Sequence, residues 1–418
     1  MPEPKARLAW LWVGAGFLFQ ALPASLRDDA LPVALKNAGV TDTRITQLTG
    51  ALGLLVGIKL LWAPLVVRLG CPRRVVGATQ ALIVGTMGLL TLVAPQAAAH
   101  PVALIGLLTT LSLLSAGHDV ALDGYYVSSL RDQERSRLSG LLTAASKIGS
   151  VLAGPGLIWI AGLAVAGGDT PADAWADALL VATSCAGLAW LGCSLALGRE
   201  PNGEAQPARP LGRSLGDLLT DPRFPAILTL ILLYRASEIH LVRVLPMFSV
   251  SAQGLGLDNQ TYATLRLWTG VAGLAIGGII GSAIISRTGL GRALVPLGVV
   301  MHLPILGIAW LATHPGPDMN LVRALFLLEH VAYGAGVCAL LLAMMRLAEG
   351  PDAAVRYAAL STCAIVANYL PGMWAGALAD RCGYADYFLL TLVLAPAGVW
   401  SAIRARRMLG DVSPSAGA

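Results

Sequence analysis

Apolar runs of about 20 residues recur along almost the whole chain, and short charged segments separate them. A helix of about 20 residues, rising 1.5 Å per residue, is long enough to cross the hydrocarbon layer of a membrane. Only 13% of the 418 residues are charged, whereas a soluble domain carries about 25% because its surface must be wetted. We therefore predict an all-α integral membrane protein whose natural surroundings are a lipid bilayer.

The number of runs and the loop charges predict twelve transmembrane helices. The runs lie near residues 8–36, 44–66, 74–95, 101–129, 138–166, 175–198, 224–251, 260–286, 292–313, 320–346, 355–379 and 385–403. Lys and Arg concentrate in every second connection and at both ends of the chain. By the positive-inside rule both termini are expected in the cytoplasm, which requires an even number of spans.

A polar segment near the middle of the chain divides the runs into two sets of six. Residues 199–223 are rich in Pro, Gly and charge, which is typical of a linker. Faint repeats relate the two sets, for example Leu31-Pro32 and Leu245-Pro246. We predict an N-terminal six-helix bundle (1–198), a cytoplasmic linker and a C-terminal six-helix bundle (224–418), with a solute site near mid-membrane.

Composition and motifs exclude several other function classes. The net charge of +5 resides in loops, so nucleic acid is not an expected partner. The six cysteines lack CxxC spacing, so neither a metal nor a disulfide set is expected. No P-loop, HExxH or GxSxG motif occurs. A membrane-embedded acyltransferase is disfavoured because no His/Asp cluster lies at a membrane face. We expect a solute transporter with no catalytic residues and no cofactor, driven by an ion or solute gradient.

Ionisable side chains inside predicted spans are the candidate site residues, because each costs at least about 2.5–3.5 kcal/mol on insertion scales. The first span carries Arg27, Asp28 and Asp29. Pro32 would clash with the carbonyl of Asp28, which predicts a local break. The alternative is that these charges pair near the outer mouth. Lys59 lies within the second span, where either aspartate is a plausible partner.

The fourth span contains a second candidate group. Asp119 and Asp123 are four residues apart and share one helical face, where two carboxylates could hold a proton. Tyr125 and Tyr126 could stack on an aromatic or chelating solute. The alternative places Asp123 at the cytoplasmic end, bonded to backbone or to the loop at 131–137. His118 is nearly as well explained by packing.

The seventh span contains the third group. Arg235 and Glu238 are spaced i, i+3, which suits an ion pair, and His240 and Arg243 repeat that spacing. Arg243 aligns with Asp29 across the internal repeat. The remaining charged or titratable candidates are Lys147 in the fifth span and Glu329 and His330 in the tenth.

Several segments resemble the AmpG-like branch of the major facilitator superfamily over nearly the whole chain. Residues 59–64, KLLWAP, resemble its second-helix signature, and HDVALDGYYVSSLRDQERSRLSG (118–140) resembles its fourth-helix motif. The resemblance implies the major facilitator fold and a gating loop, here carried by Arg68, Arg73 and Arg74. Two positions depart from the pattern, since Val67 and Ser286 stand where the family has aspartate.

The resemblance further implies an importer of the bacterial inner membrane that works as a monomer by alternating access. Its compact length resembles the single-component siderophore permeases, so a ferric siderophore of the pyochelin kind is the expected solute. Arg27, Lys59, Tyr125, Tyr126, Arg235 and Arg243 are expected to bind the solute. Asp28, Asp29, Asp119, Asp123 and Glu238 are expected to couple uptake to protons. The alternatives are a muropeptide (anhydro-sugar peptide) permease and a drug-type exporter.

Overall fold

The computed structural model describes residues 4–57, 72–97, 99–197, 211–314, 316–349 and 353–409, and within these ranges the regular structure is helical throughout. The first helices are α1 (Pro4–Ser25), α2 (Leu31–Asn37), α3 (Asp42–Gly57), α4 (Pro72–Val93), α5 (Pro101–Ser129), α6 (Asp132–Val151), α7 (Leu157–Ala166) and α8 (Pro171–Ala196). They are followed by α9 (Leu211–Leu219), α10 (Phe224–Leu233), α11 (Ala236–Val250), α12 (Asn259–Thr288), α13 (Leu290–His302), α14 (Pro304–Thr313), α15 (Met319–Ala348), α16 (Ala353–Tyr369), α17 (Ala375–Thr391) and α18 (Ala395–Leu409).

Ten helical stretches of the described residues are long and apolar enough to span a membrane. The last of them, Val355–Leu409, has 55 residues, enough for two crossings. It is interrupted at Gly383, whose φ of +78° is left-handed, close to the predicted turn between the last two spans. Helix α3 adds 16 described residues of a further apolar run. Twelve crossings therefore fit the fold, and the predicted all-α membrane class is confirmed.

The outward surfaces of these helices carry large apolar side chains, as expected for contact with lipid. Val102, Leu195 and Leu92 are 83%, 74% and 72% exposed. A water-soluble protein rarely exposes so much contiguous apolar surface. The chain is therefore a multi-pass membrane protein.

By contacts, the chain divides into two compact units. Unit 1 comprises Met1–Val40, Ala51–Ala205 and Asp258–Ala263, and unit 2 comprises Thr41–Gly50, Gln206–Leu257 and Thr264–Ala418. The start of α3 thus groups with unit 2, and the start of α12 with unit 1. The predicted linker at 199–223 stays a prediction, because residues 198–210 lie outside the described part, while Leu211–Leu219 form a helix.

Unit 1 is organised by two π-helical turns that pack against each other. Leu26–Ala30 forms a π-helix between α1 and α2, and Leu152–Gly156 forms another between α6 and α7. The first begins six residues before Pro32, where the sequence predicts a break, and the second contains Pro155. A π-bulge re-routes backbone hydrogen bonds that a proline disrupts, and such bulges are frequent at functional sites.

The core of unit 1 lies at the other end of α1. Trp12, Phe17, Leu122 and Tyr125 form a buried apolar cluster with neighbouring residues of α6 and α8. The Trp12 and Tyr125 rings meet edge to face with their centroids 4.9 Å apart, a favoured aromatic geometry.

Unit 2 has a tight contact between α12 and α15. A Cβ added to Gly277 would lie 2.2 Å from the carbonyl oxygen of Val331, and one added to Gly273 would lie 2.5 Å from the Cβ of His330. Small residues spaced four apart let two membrane helices approach closely. Van der Waals packing then holds the helices together, because the hydrophobic effect does not drive their association inside a bilayer. This contact fixes the position of His330 beside α12.

The start of α3 is attached to α17 by polar contacts within unit 2. The Tyr384 hydroxyl donates to the Asp42 carboxylate over 2.7 Å, and the Thr43 amide donates to Asp380 over 2.8 Å. The amide of Gly376 donates to the Thr46 hydroxyl over 3.1 Å. These bonds explain why the first residues of α3 group with unit 2.

Candidate functional site

The seventh apolar run is broken into α10 and α11 at the point where its charges begin. Arg235 lies in the break, with φ of −105° and ψ of 8°, and Glu238 lies in the first turn of α11. A carboxylate is favoured there by the unsatisfied amides at a helix N-terminus. The Arg235 Nε donates to Glu238 Oε2 over 2.8 Å, so the two residues form the ion pair that their spacing predicts. The break itself was not predicted.

The tenth span brings a second pair of titratable groups to the same unit. Glu329 and His330 on α15 are 4% and 3% exposed. His330 Nδ1 lies 2.9 Å from Glu329 Oε2 and 2.8 Å from the carbonyl oxygen of Phe326. The other ring nitrogen, Nε2, contacts the Nη1 of Arg266 on α12. Both sides of this imidazole are therefore occupied by charged groups.

Tyr333 connects the two pairs. The Arg235 guanidinium lies over the Tyr333 ring, 4.9 Å from its centroid, which is a cation–π contact. Arg235 also interacts electrostatically with Glu329, as does Arg266. Together these side chains form what we call the charged network: Arg235, Glu238, Arg266, Glu329, His330 and Tyr333. With a neutral His330, its two arginines balance its two glutamates.

Arg243 lies two turns further along α11. Its guanidinium covers the Tyr369 ring, 4.2 Å from the centroid. A Cβ added to Gly372, in the 3₁₀ turn Pro371–Trp374, would lie 3.1 Å from the Arg243 Cγ. Unit 2 thus contains a second cation on an aromatic ring, beside a helix irregularity.

In unit 1 the charged residues of the first span lie on the π-helix. Arg27 is 6% exposed and makes a bidentate bond to Asp28, with Nη2 to Oδ2 at 2.8 Å and Nε to Oδ1 at 3.2 Å. Asp29 faces the second π-helix, where a Cβ added to Gly154 would lie 2.9 Å from Asp29 Oδ2. The local pairing considered from sequence is therefore present between Arg27 and Asp28.

The two aspartates of the fourth span, Asp119 and Asp123, differ in burial. Asp119 is half-buried and accepts a hydrogen bond from the Gln20 side chain of α1. Asp123 is exposed, and a proton site shared by the two carboxylates stays a prediction.

The two tyrosines of the fourth span also take different positions. Tyr125 is 2% exposed and packs in the core on Trp12, so its ring faces protein. Tyr126 is half-buried and its hydroxyl donates to the carbonyl of Arg135 over 2.9 Å. Solute stacking on either ring stays a prediction.

The predicted gating loop and Lys59 fall mainly beyond the described ranges. Lys59, Val67 and Arg68 lie outside the described residues, whereas Arg73 and Arg74 begin α4. Ser286, the other departure from the family pattern, donates its hydroxyl to the carbonyl of Ala283 over 2.9 Å. The solute-binding role of Lys59 stays a prediction.

Three residues with clear roles in these contacts were missed in the sequence. Arg266 lies inside a predicted span, so the insertion cost that singled out the other charges would have found it. Tyr333 and Gln20 carry no comparable signal, since a tyrosine or glutamine in a span is compatible with ordinary packing. Their importance follows only from which helices are neighbours.

A separate ion-pair cluster is centred on Asp221, which lies before α10 and outside the membrane-spanning segments. Arg223 binds Asp221 over 2.9 Å, and Arg356 binds the same carboxylate over 3.1 Å. The hydrogen bond from Arg223 is the main reason that the pKa of Asp221 is lowered to about 2. Arg356 also donates to the carbonyl of Glu349 over 3.1 Å. This cluster ties the starts of α10 and α16 to the end of α15.

Within the described ranges, no group of three His, Cys, Asp or Glu side chains is arranged to hold a metal ion. The charged network contains acid, base and cationic groups, without a nucleophile placed beside a base. Its chemistry is suited to binding charged groups and protons.

The sequence profile of the Major Facilitator Superfamily matches residues 15–368. A Rickettsia conorii relative named as an AmpG 4 transporter is 26% identical over 141 residues, 34% of each chain. The anhydromuropeptide permease of Escherichia coli K12 is 24% identical over 173 residues, 41% of this chain and 35% of that one. The match thus spans about a third of the length of these relatives.

Among solved structures, a D-xylose–proton symporter is similar in fold. The TM-score is 0.72 at 14% identity, over 95% of this chain and 96% of that one. At this identity the likeness concerns the fold alone. Together with the profile, which matches most of the chain, it identifies a transporter rather than an enzyme, and the chain belongs to the Major Facilitator Superfamily.

Proposed function

We propose that this protein imports an anionic organic solute across a bacterial inner membrane by alternating access, with both termini in the cytoplasm. The observation that carries the proposal is the charged network, which keeps two arginines and two glutamates inside unit 2. Such groups are expensive in a membrane and are retained where they bind a solute or an ion. The nearest physical alternative is a purely structural network, which would leave transport intact when altered conservatively.

An anhydromuropeptide is the first candidate solute. The relative from Escherichia coli is named for that solute, and a muropeptide carries peptide carboxylates and sugar hydroxyls. Arginine guanidinium groups bind carboxylates in bidentate fashion. The Oε1 atom of Glu238 is buried and has no hydrogen-bond partner among the described residues, so it could accept a bond from a hydroxyl or amide.

A ferric siderophore is the second candidate. Arg235 on Tyr333 and Arg243 on Tyr369 place a cation beside an aromatic ring. This arrangement suits a solute that carries both a carboxylate and an aromatic ring, as pyochelin-like chelators do. The relatives named for a solute favour muropeptides, so the order of the two candidates is reversed relative to the sequence-based prediction.

Proton coupling is the proposed energy source. The sequence places candidate carboxylates at Asp28, Asp29, Asp119, Asp123 and Glu238. Of these, Glu238 lies in the charged network, and the others lie in unit 1. Coupling through any of them predicts that an uncoupler abolishes accumulation of the solute.

The test is uptake by cells that lack their own muropeptide and siderophore permeases. Radiolabelled anhydromuropeptide and ferric chelates of the pyochelin and hydroxamate kinds are supplied with and without the protein. We expect anhydromuropeptide to accumulate and an uncoupler to prevent it. Asp177→Asn, which changes an exposed residue of α8, is the control variant and should transport normally.

Each alternative gives a different result. Accumulation of one ferric chelate and no muropeptide would replace the first candidate by the second. A drug-type exporter would lower the cellular content of a test compound. Failure to accumulate either class, with the protein present in the membrane, would refute the proposed import of these solutes.

A further inference from the structure

The contact between Arg266 and His330 fixes the protonation of the imidazole. A guanidinium carries only donors and stays protonated in proteins. Because Arg266 Nη1 contacts His330 Nε2, Nε2 must offer its lone pair. The single ring proton then resides on Nδ1, which lies 2.8 Å from the Phe326 carbonyl and 2.9 Å from Glu329 Oε2. His330 is therefore neutral, as the Nδ1–H tautomer, while Arg266 is in place.

A proton bound at Nε2 would place an N–H group directly against the N–H donor of Arg266. Two N–H groups cannot share one contact, so Arg266 and the proton exclude each other at this nitrogen. We propose that His330 Nε2 is a proton-binding site that alternates between a proton and Arg266, and that Arg266, once displaced, binds the anionic group of the solute. This inference rests on the proposed import of an anionic solute.

The exchange is balanced in atoms and charge. A proton from hydronium forms an N–H bond at Nε2 and leaves a water molecule, and the hydrogen bond from Arg266 breaks, with no other bond altered. With His330 neutral, Arg235 and Arg266 balance Glu238 and Glu329. Protonation adds one positive charge, which one solute carboxylate neutralises. The network would thus take up one proton with each carboxylate that it binds.

Packing determines which partner moves. A Cβ added to Gly273 would lie 2.5 Å from the Cβ of His330, so the backbone of α12 lies directly against the histidine. The imidazole is 3% exposed and is held through Nδ1. Arg266 is only half-buried and has a long, flexible stem. The Arg266 side chain is therefore the partner that moves when the proton binds.

The groups around His330 come from three helices and one break. Arg266 faces it from α12, Arg235 and Glu238 lie at the break before α11 and in its first turn, and Glu329 and Tyr333 share its own helix. Other titratable residues on or next to the helices packed against α15 are Tyr234, Tyr262, Arg287, Arg292, His302, Arg356, Tyr357, Cys363 and Tyr369. Of these, Tyr234 donates to the carbonyl of Leu294, Arg356 binds Asp221, and Tyr369 lies beneath Arg243.

The direct test is nitrogen NMR of the full chain labelled with ¹⁵N-histidine, with the signals of His330 identified by their loss in His330→Gln. At neutral pH we expect the neutral Nδ1–H tautomer. In Arg266→Met the competitor is gone, so at a given pH a larger fraction of His330 should appear as the imidazolium. Arg323→Met removes an exposed arginine two turns away on the same helix and should leave the titration unchanged.

An Nε2–H tautomer or an imidazolium at neutral pH in the wild-type protein would overturn the proposal. So would an unchanged titration in a folded Arg266→Met variant. If that variant does not fold, the tautomer of the wild-type protein still decides the question.

Transport supplies the second readout, in proteoliposomes with labelled anhydromuropeptide. The glutamine of His330→Gln can accept from Arg266 and binds no proton. We expect it to lose accumulation driven by an imposed pH gradient while exchange of labelled for unlabelled solute at equal pH persists. Full gradient-driven accumulation by His330→Gln would refute the coupling role. Wild-type protein that carries no anhydromuropeptide would refute only the proposed solute, since the nitrogen signals decide the exchange at His330 independently.

Discussion

The two units handle intramembrane charge differently. In unit 1, Arg27 and Asp28 are adjacent in sequence and pair on a π-helix, with the Asp28 side chain 31% exposed. In unit 2, Arg235, Glu238, Arg266 and Glu329 come from three different spans. Arg266 and Glu329 contact the buried His330. A local pair needs only its own helix, whereas the network needs the packing of unit 2. The difference suggests that unit 2 couples these charges to the arrangement of its helices, whereas the Arg27–Asp28 bond lies within one helix of unit 1.

The largest expected effect comes from removing one partner of the buried pair. Arg235→Met leaves Glu238, whose side chain is 2% exposed, without its arginine. Breaking a buried pair in this way costs about 3–5 kcal/mol. We expect such a loss in the free energy of unfolding, measured by titration with SDS in mixed micelles.

The matched change in unit 1 is Arg27→Met, which removes one partner of the more exposed Asp28. It should destabilise less, because water can solvate the remaining carboxylate. Adding Glu238→Gln to Arg235→Met should restore part of the lost stability. Equal losses for the two arginine variants would break the contrast between the units.

The ion-pair cluster at Asp221 gives a pH-dependent effect. The pKa of Asp221 is about 2 in the folded protein, below the value of about 3.9 expected in the unfolded chain. Its contribution is therefore present above about pH 4 and is lost as the pH falls toward 2. Asp221→Asn should cost about 1.5–3 kcal/mol at pH 7, since the bonds involve charged partners.

The measurement is the unfolding free energy of wild type and Asp221→Asn from pH 8 to pH 3. The difference should be constant down to about pH 5 and shrink below pH 4. Asp177→Asn, at an exposed position, should follow the wild type throughout. A difference that grows with acidity would contradict the assignment.

The close packing of α12 on α15 predicts a contrast between neighbouring glycines. A Cβ at Gly277 would lie 2.2 Å from a backbone oxygen, whereas one at Gly278 meets nothing within 4 Å. Overpacking costs about 1–3 kcal/mol, so Gly277→Ala should destabilise by that amount in the same SDS titration. Gly278→Ala adds the same methyl group to open space and should be neutral. Similar losses in both variants would mean that α12 is not held against α15.

The predictability of the fold follows from the membrane itself. Apolar length and loop charge predicted the spans because a bilayer leaves few alternatives to helices. Pro32 predicted the break in the first span, and the π-helix at Leu26–Ala30 confirms it. The break at Arg235 was missed, because no proline or glycine occupies residues 234 and 235.

The site was only partly predictable, for a different reason. Insertion cost selects charged residues such as Arg235, Glu238 and Glu329 from the sequence alone. It does not reveal partners, which depend on the rotation of each helix and on its neighbours. Tyr125 shows the limit, since an aromatic residue in a span has the same appearance in the sequence whether it binds a solute or packs, and only the structure shows its contact with Trp12.

The smallest expected effect is that of Asp119→Asn, and it separates the two units as proton carriers. Asp119 accepts from the Gln20 amide, and an asparagine oxygen can accept the same bond, so this contact should persist in the variant. If His330 binds the coupling proton, gradient-driven uptake of labelled solute should also persist in this variant. Gln20→Leu is the companion change, since it removes the donor and leaves a titratable Asp119. Loss of proton-linked uptake in Asp119→Asn, with exchange at equal pH intact, would return the coupling role to unit 1. If Asp119→Asn retains proton-linked uptake and His330→Gln loses it, the coupling role belongs to unit 2.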